Sequence, residues 1–208
     1  MGRSVTVTGR GRASTPYDVA TLNLAASARA ANPSDATARA SYAMQAMREA
    51  VVRSGADERT LATTSVSLNP VHDPWPTVVA YEASLSLAVR TTDLEHVGSM
   101  LVAAVQAGGD GARVDGIAFS HDDAAALEAS ARDAAYANAR AKAEQYAGLA
   151  GQALGEVRHM VEAEMGSGIA PRRMMAMAAE SDGGMPVDGG EGTVSAVVTV
   201  TWALGPSV

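Results

Sequence analysis

The sequence predicts an α+β fold, with a mainly antiparallel sheet of about seven or eight strands and three helices, one of them long and Ala-rich. Three observations carry this expectation. Both ends of the chain alternate apolar and polar residues, as in Ser4-Val5-Thr6-Val7-Thr8 and Val194 to Trp202, which is the two-residue period of a half-buried strand. Two stretches, near 33–54 and 122–149, hold apolar or alanine residues at helical spacing. The strands and helices are also segregated enough along the chain to favour antiparallel pairing.

Each element follows from local residues. After the first strand, Gly9-Arg10-Gly11 is expected to bend or bulge the chain, and Pro16-Tyr17-Asp18 turns it into a second strand over 18–31. Asn32-Pro33-Ser34-Asp35 starts a helix, because proline and an acidic residue suit a first turn and Asn or Ser supplies the cap. Tyr42, Met44, Met47, Val51 and Val52 form its apolar stripe, and Gly55 suits the position just past its end. Thr60 to Val71 and Thr77 to Arg90 read as a hairpin whose loop, His72-Asp73-Pro74-Trp75-Pro76, is stiffened by proline. Thr92-Asp93 caps a helix over 93–107, ended by Gly108-Gly109, and Arg113 to Ser120 is a strand. Ser120 or Asp122 caps the long helix over 122–149, about 40 Å at 1.5 Å per residue. Alanine gives it high helix propensity, and Arg132, Asp133, Arg140, Lys142 and Glu144 mark its solvated side. A strand over 155–163, a Gly/Met-rich flexible excursion over 164–192 and the closing strand at 194–202 complete the chain. The whole is expected to be one domain over 1–208, open to division into two lobes.

Composition excludes several functions. With 208 residues and 19% charged residues the chain can bury a sizeable core. A net charge of −7, with Arg172-Arg173 as the largest basic grouping, argues against a nucleic-acid partner. There is no Cys, so disulfides, thiol catalysis and Cys-based metal sites are excluded. No apolar run reaches the ~20 residues that span a bilayer. As the sequence stands, entering a strand at Ser4, a cytoplasmic location is expected; a removed leader would instead place the chain in the periplasm or envelope.

The chemically interesting residues are few. His121-Asp122-Asp123 suits a metal if the side chains converge with a further ligand, but acidic residues at a helix start also complement its dipole, and the cap is preferred. His72-Asp73 has no nucleophile beside it. Trp75, held between Pro74 and Pro76, is expected either to meet another subunit or partner or to pack within the chain. Met174, Met175 and Met177 crowd the excursion with Met165 and Met185. Their soft side chains suit an adaptable subunit contact, an oxidant sink or soft-metal site, or an apolar linker edge on the sheet. His96 and His159 are isolated, and Glu162 and Glu164 share a strand face with nothing to fix a substrate between them. A lone G-x-G with Ser14 in the third glycine position is no dinucleotide fingerprint. No catalytic residue, cofactor or metal site is assigned, and an enzyme is not expected.

The order of these pieces resembles the bacterial branch of the SIMPL-domain family (DUF541). The resemblance rests on Val5-Thr-Val-Thr-Gly-Arg-Gly11 with Tyr17-Asp18-Val19-Ala20, on the helix exit Ser54-Gly55-Ala56, and on Gly116-Ile117-Ala118-Phe119. It rests further on the helix carrying Ala131-Arg132-Asp133-Ala134 and Ala141-Lys142-Ala143-Glu144, on Leu154-Gly155-Glu156-Val157, and on Gly190-Glu191 before a Val-rich strand. It covers nearly the whole chain, with Tyr17 where proline is commoner. It implies a largely periplasmic or envelope setting, association with oxidative-stress tolerance and immunogenicity, and in some members assembly into large rings. It brings no catalytic residues. The expected function is therefore a non-enzymatic homo-oligomer, itself its own partner, in stress or envelope physiology. The alternative is a small-molecule or metal binding module.

Overall fold

The computed structural model describes residues 2–163, 185 and 187–207. Among them are seven strands and three α-helices in the order β1 (Ser4–Pro16), β2 (Val19–Ala30), α1 (Pro33–Arg53), β3 (Leu61–His72), β4 (Val78–Thr91), α2 (Val97–Gly108), β5 (Ala112–Ser120), α3 (Ala124–Leu149), β6 (Gln152–Glu162) and β7 (Glu191–Ser207). The α+β class is as the sequence predicts, but the strands form two antiparallel sheets, ordered β1-β7-β6 and β3-β4-β2-β5. The chain divides into two compact units along the same line: β1, α3, β6 and β7 make one, and β2 to β5 with α1 and α2 make the other. The second is inserted between β1 and α3 of the first.

In the first unit β1 alternates strictly, burying Val7, Gly9 and Gly11 while Thr6, Thr8 and Arg10 face solvent. The glycines do not bend the strand as expected. Its register with β7 runs unbroken from Ser4 opposite Ala203 to Pro16 opposite Glu191. Their reason is a close approach: a Cβ on Gly9 would strike the carbonyl oxygen of Ala135 and the backbone of Ala139, and one on Gly11 the carbonyl of Ala131 and the backbone of Ala135. The helix that comes so near is α3, whose buried face is Ala131, Ala135, Ala139, Ala143 and Ala147 at four-residue spacing. Burying those five methyl groups is worth about 0.8 kcal/mol each, roughly 4 kcal/mol together. Val198, Val200 and Trp202 of β7 complete the core beneath them. On the solvent face, hydroxyl pairs Thr6–Thr201 at 2.9 Å, Thr8–Thr199 at 2.9 Å and Ser14–Thr193 at 2.8 Å tie β1 to β7.

The second unit is built from larger side chains. Leu22 and Leu24 of β2 and Leu87 and Val89 of β4 meet Met47 and Val51 of α1 and Met100 and Leu101 of α2. Asn32 caps α1 as predicted, its side-chain oxygen accepting from the Asp35 N–H at 2.9 Å. Gly55 follows the helix with φ of 106°, the left-handed region that favours glycine. The stripe differs from the expected one. Ala36, Ala40, Met47, Ala50 and Val51 are the buried residues, whereas Tyr42 is 80% exposed. The alanines allow α1 to lie close over β2 and β4, and Tyr42 then falls on the outer side.

Helix starts also move. α2 begins at Val97 rather than 93, after a turn in which the Asp93 carboxylate accepts from the His96 backbone N–H and meets the His96 ring. α3 is capped by Asp123, accepting from the Ala126 N–H at 3.0 Å, rather than by Ser120 or Asp122. β6 starts three residues earlier than expected and β7 at Glu191, so the last two residues of the predicted excursion belong to a strand. Most of that excursion lies outside the described residues.

The close seating of α3 makes a paired prediction. Gly9→Ala should lower the free energy of unfolding by about 1–3 kcal/mol through overpacking against backbone that cannot yield. Gly148→Ala, at an exposed helical position with open space around it, should raise it by about 0.5–1 kcal/mol. Urea midpoints of the two variants check this; a neutral Gly9→Ala would mean that the helix does not sit on the strand.

Candidate functional site

Three surface features gather the polar and exposed apolar residues. The first is a groove of about 370 Å³ in the first unit, between α3 and the β6–β7 edge, lined by Arg132, Tyr136, Met160, Glu162, Ala196 and Val198 among others. Helical spacing puts Glu128, Arg132 and Tyr136 on one side of α3. Arg132 Nε donates to both carboxylate oxygens of Glu162 at 3.0 and 3.2 Å, and Nη2 donates to Glu128 at 3.1 Å. Glu162 foremost, then Glu128, therefore holds the guanidinium above its ordinary value. Glu162 is thus the ion-pair partner of Arg132. The Tyr136 ring lies 6.2 Å from that of Trp202. The groove offers an apolar floor with a paired cation at its rim. The i,i+4 spacing of Glu128 and Arg132 is visible in the sequence, but their joining to Glu162 depends on where the sheet brings β6.

The second feature is the β3–β4 hairpin. Trp75 is 78% exposed at its tip, its ring 4.4 Å from that of His72. Val66, Leu68, Val78 and Val79 on the same hairpin are also exposed. The tip residues 73–79 are all exposed. The expected contact residues are thus only partly placed: Trp75 is presented to solvent, while Met174, Met175 and Met177 lie outside the described residues.

The third is the approach to α2. Asp93 meets His96 Nδ1 at 2.9 and 2.8 Å through its two oxygens and accepts from the His96 backbone N–H at 3.3 Å. The hydrogen bond with Asp93 raises the His96 pKa, and the same contact lowers that of Asp93. Both groups are solvent-exposed and isolated from other chemistry, so the contact serves the helix start.

Asp123 caps α3, His159 is exposed on β6, and among the described residues no three His, Asp or Glu side chains are placed to hold a metal ion. No helix among them is long and apolar enough to cross a membrane.

These features define an α+β protein of two helix-backed antiparallel sheets, one of which carries a hairpin with exposed apolar residues. The chain belongs to the SIMPL family, described as a protein of unknown function (DUF541), whose family model matches residues 5–202. The 26 kDa periplasmic immunogenic proteins of Brucella melitensis and Brucella abortus are similar to it. Each is 30% identical over 216 aligned positions that span 96% of this chain and 84% of the relative. The crystal structure of AtUAH in complex with glyoxylate matches 59% of this chain and 34% of its own, with 13% identity and a TM-score of 0.35, too little to support any reading.

The Asp93–His96 contact sets a pH dependence. His96, raised, contributes stability that is full below its unfolded value near 6.5 and lost as pH climbs through the folded value. Asp93, lowered, contributes above its unfolded value near 3.8, and that is lost as pH falls through the folded value. The difference in Tm between the protein and His96→Gln should therefore be largest between these limits, in mildly acid solution, and shrink towards pH 8. A difference that grew with alkalinity would contradict the pairing.

Proposed function

We propose that this chain is a non-enzymatic SIMPL-domain protein that works as a homo-oligomeric assembly in envelope or stress physiology, with a ring-like form following from the family resemblance. The single observation that carries this reading is the β3–β4 hairpin. It exposes Val66, Leu68, Trp75, Val78 and Val79 to solvent, and several large apolar side chains exposed on one hairpin suit a contact site. Trp75 is the residue type that anchors interfaces, with large area and little rotamer entropy to lose. The net charge of −7 supports a protein partner over a nucleic acid. The name of the Brucella relatives supports the periplasmic alternative over the cytoplasmic one.

The groove beside Arg132 favours a second reading, a module that binds a small amphipathic molecule. A thermal-shift screen tests it. Ligands that raise Tm in the intact protein and fail with Tyr136→Ala would support it; no ligand with that pattern would remove it.

For the main reading, sedimentation velocity at micromolar concentration should give a species several times the 21.2 kDa chain mass. Trp75→Ala should weaken assembly at least tenfold in dissociation constant, as expected for loss of more than about 1.4 kcal/mol at an aromatic anchor. Its circular dichroism should stay unchanged, because the ring is exposed in the isolated chain. A single 21 kDa species for the unaltered protein would end the proposal.

A further inference from the structure

The seating of α3 leaves one side of its sheet open. Gly9 and Gly11 let the helix settle on β1, and β6, at the far edge of the order β1-β7-β6, keeps most of its side chains exposed. Val198 and Val200 of β7 are buried under the helix, and their β6 partners Glu162 and Met160 carry the same face outward, with Met160 54% exposed. The groove of about 370 Å³ lies at this step, with Tyr136 on the helix side, Met160 on the strand side and Ala196 and Val198 beneath. Sites for small molecules run from about 300 to 1,000 Å³. Buried apolar side chains beside an adaptable methionine suit an apolar chain or ring of variable shape.

The charge at the rim selects among such molecules. Arg132 is the cation of the groove, and it is engaged: Nε donates to Glu162 and Nη2 to Glu128. Asp133 also lines the groove, and it makes no hydrogen bond or ion pair among the described residues. One guanidinium thus stands against three carboxylates, a net charge of −2. The neighbouring cations do not alter this balance. Arg140, one turn beyond Tyr136 on α3, is paired with Glu144 at 2.9 Å, and the Arg158 guanidinium lies against Gly2. An anionic head would have to displace a carboxylate from Arg132 and would be repelled by the others. A cationic head can meet Asp133 directly, and an aromatic ring such as that of Tyr136 attracts a cation over its face within ~6 Å.

We propose that this groove binds an amphipathic cation: an apolar chain or ring that ends in an ammonium or guanidinium group. The apolar part lies along Tyr136, Met160 and Val198, and the head sits at Asp133. The proposal rests on the small-molecule reading of the groove above and adds the sign of the ligand's charge. The groove is open to solvent, so one rim carboxylate changes affinity by about fivefold or less. Apolar contact therefore supplies most of the binding, and the rim decides which head group is accepted.

Isothermal titration of the full chain with octyltrimethylammonium, octyl sulfate and octyl glucoside, each below its micelle concentration, tests this. The cation should bind about threefold or more tighter than the glucoside, and the sulfate more weakly than either. Asp133→Asn should weaken the cation about threefold and leave the glucoside unaltered. Asp133→Lys, which brings the rim to neutrality, should abolish the preference. Asp133 is exposed, so circular dichroism of both variants should match the unaltered protein. Tyr136→Ala should weaken all three compounds. If the three bind equally and respond to Tyr136→Ala but not to Asp133→Lys, the groove reading stands and the choice of a cation fails. If the sulfate binds most tightly, the sign is wrong. If none binds, or none responds to Tyr136→Ala, the groove reading and this proposal fall together.

Discussion

The contact of α3 with β1 governs the first unit. A helix can lie this close to a strand only where neither surface carries bulk, and here the strand offers Gly9 and Gly11 and the helix a ladder of alanines. Close packing of this kind gains stability from many small contacts rather than a few large side chains. It also decides where other groups go. Because α3 lies against β1, Lys142 and Asn138 reach the strand's open backbone and close that edge. Towards β6 the helix leaves the groove in which Arg132 finds Glu162.

The second unit solves the same packing problem with leucine, valine and methionine under two helices, and it leaves a different remainder. α1 covers β2 and β4 through small residues, and the apolar face runs on past it to Val66 and Leu68 of the outer strand.

Local signals were legible in the sequence and long-range ones were not. The alternation at both ends, the Asn32 cap, Gly55 and the proline-stiffened loop around Trp75 each depend on a few neighbouring residues. Gly9 and Gly11 looked like a bend because their partner is a helix more than a hundred residues away. Tyr42 fits helical spacing as well as Met47 does, and only the direction from which the sheet approaches separates them. The division into two sheets is hidden because one unit interrupts the other in the chain. At the surface, Trp75 could be found from its prolines, whereas the joining of Arg132 to Glu162 depends on where the sheet brings β6.

The central claim is that the apolar hairpin exists to be buried against copies of the same chain. An electron-microscopy reconstruction of the full-length particle tests it most directly. The account predicts a closed assembly in which residues 61–91 lie at the contacts between subunits. A particle whose hairpins all project into solvent, with subunits joined through other surfaces, would contradict it.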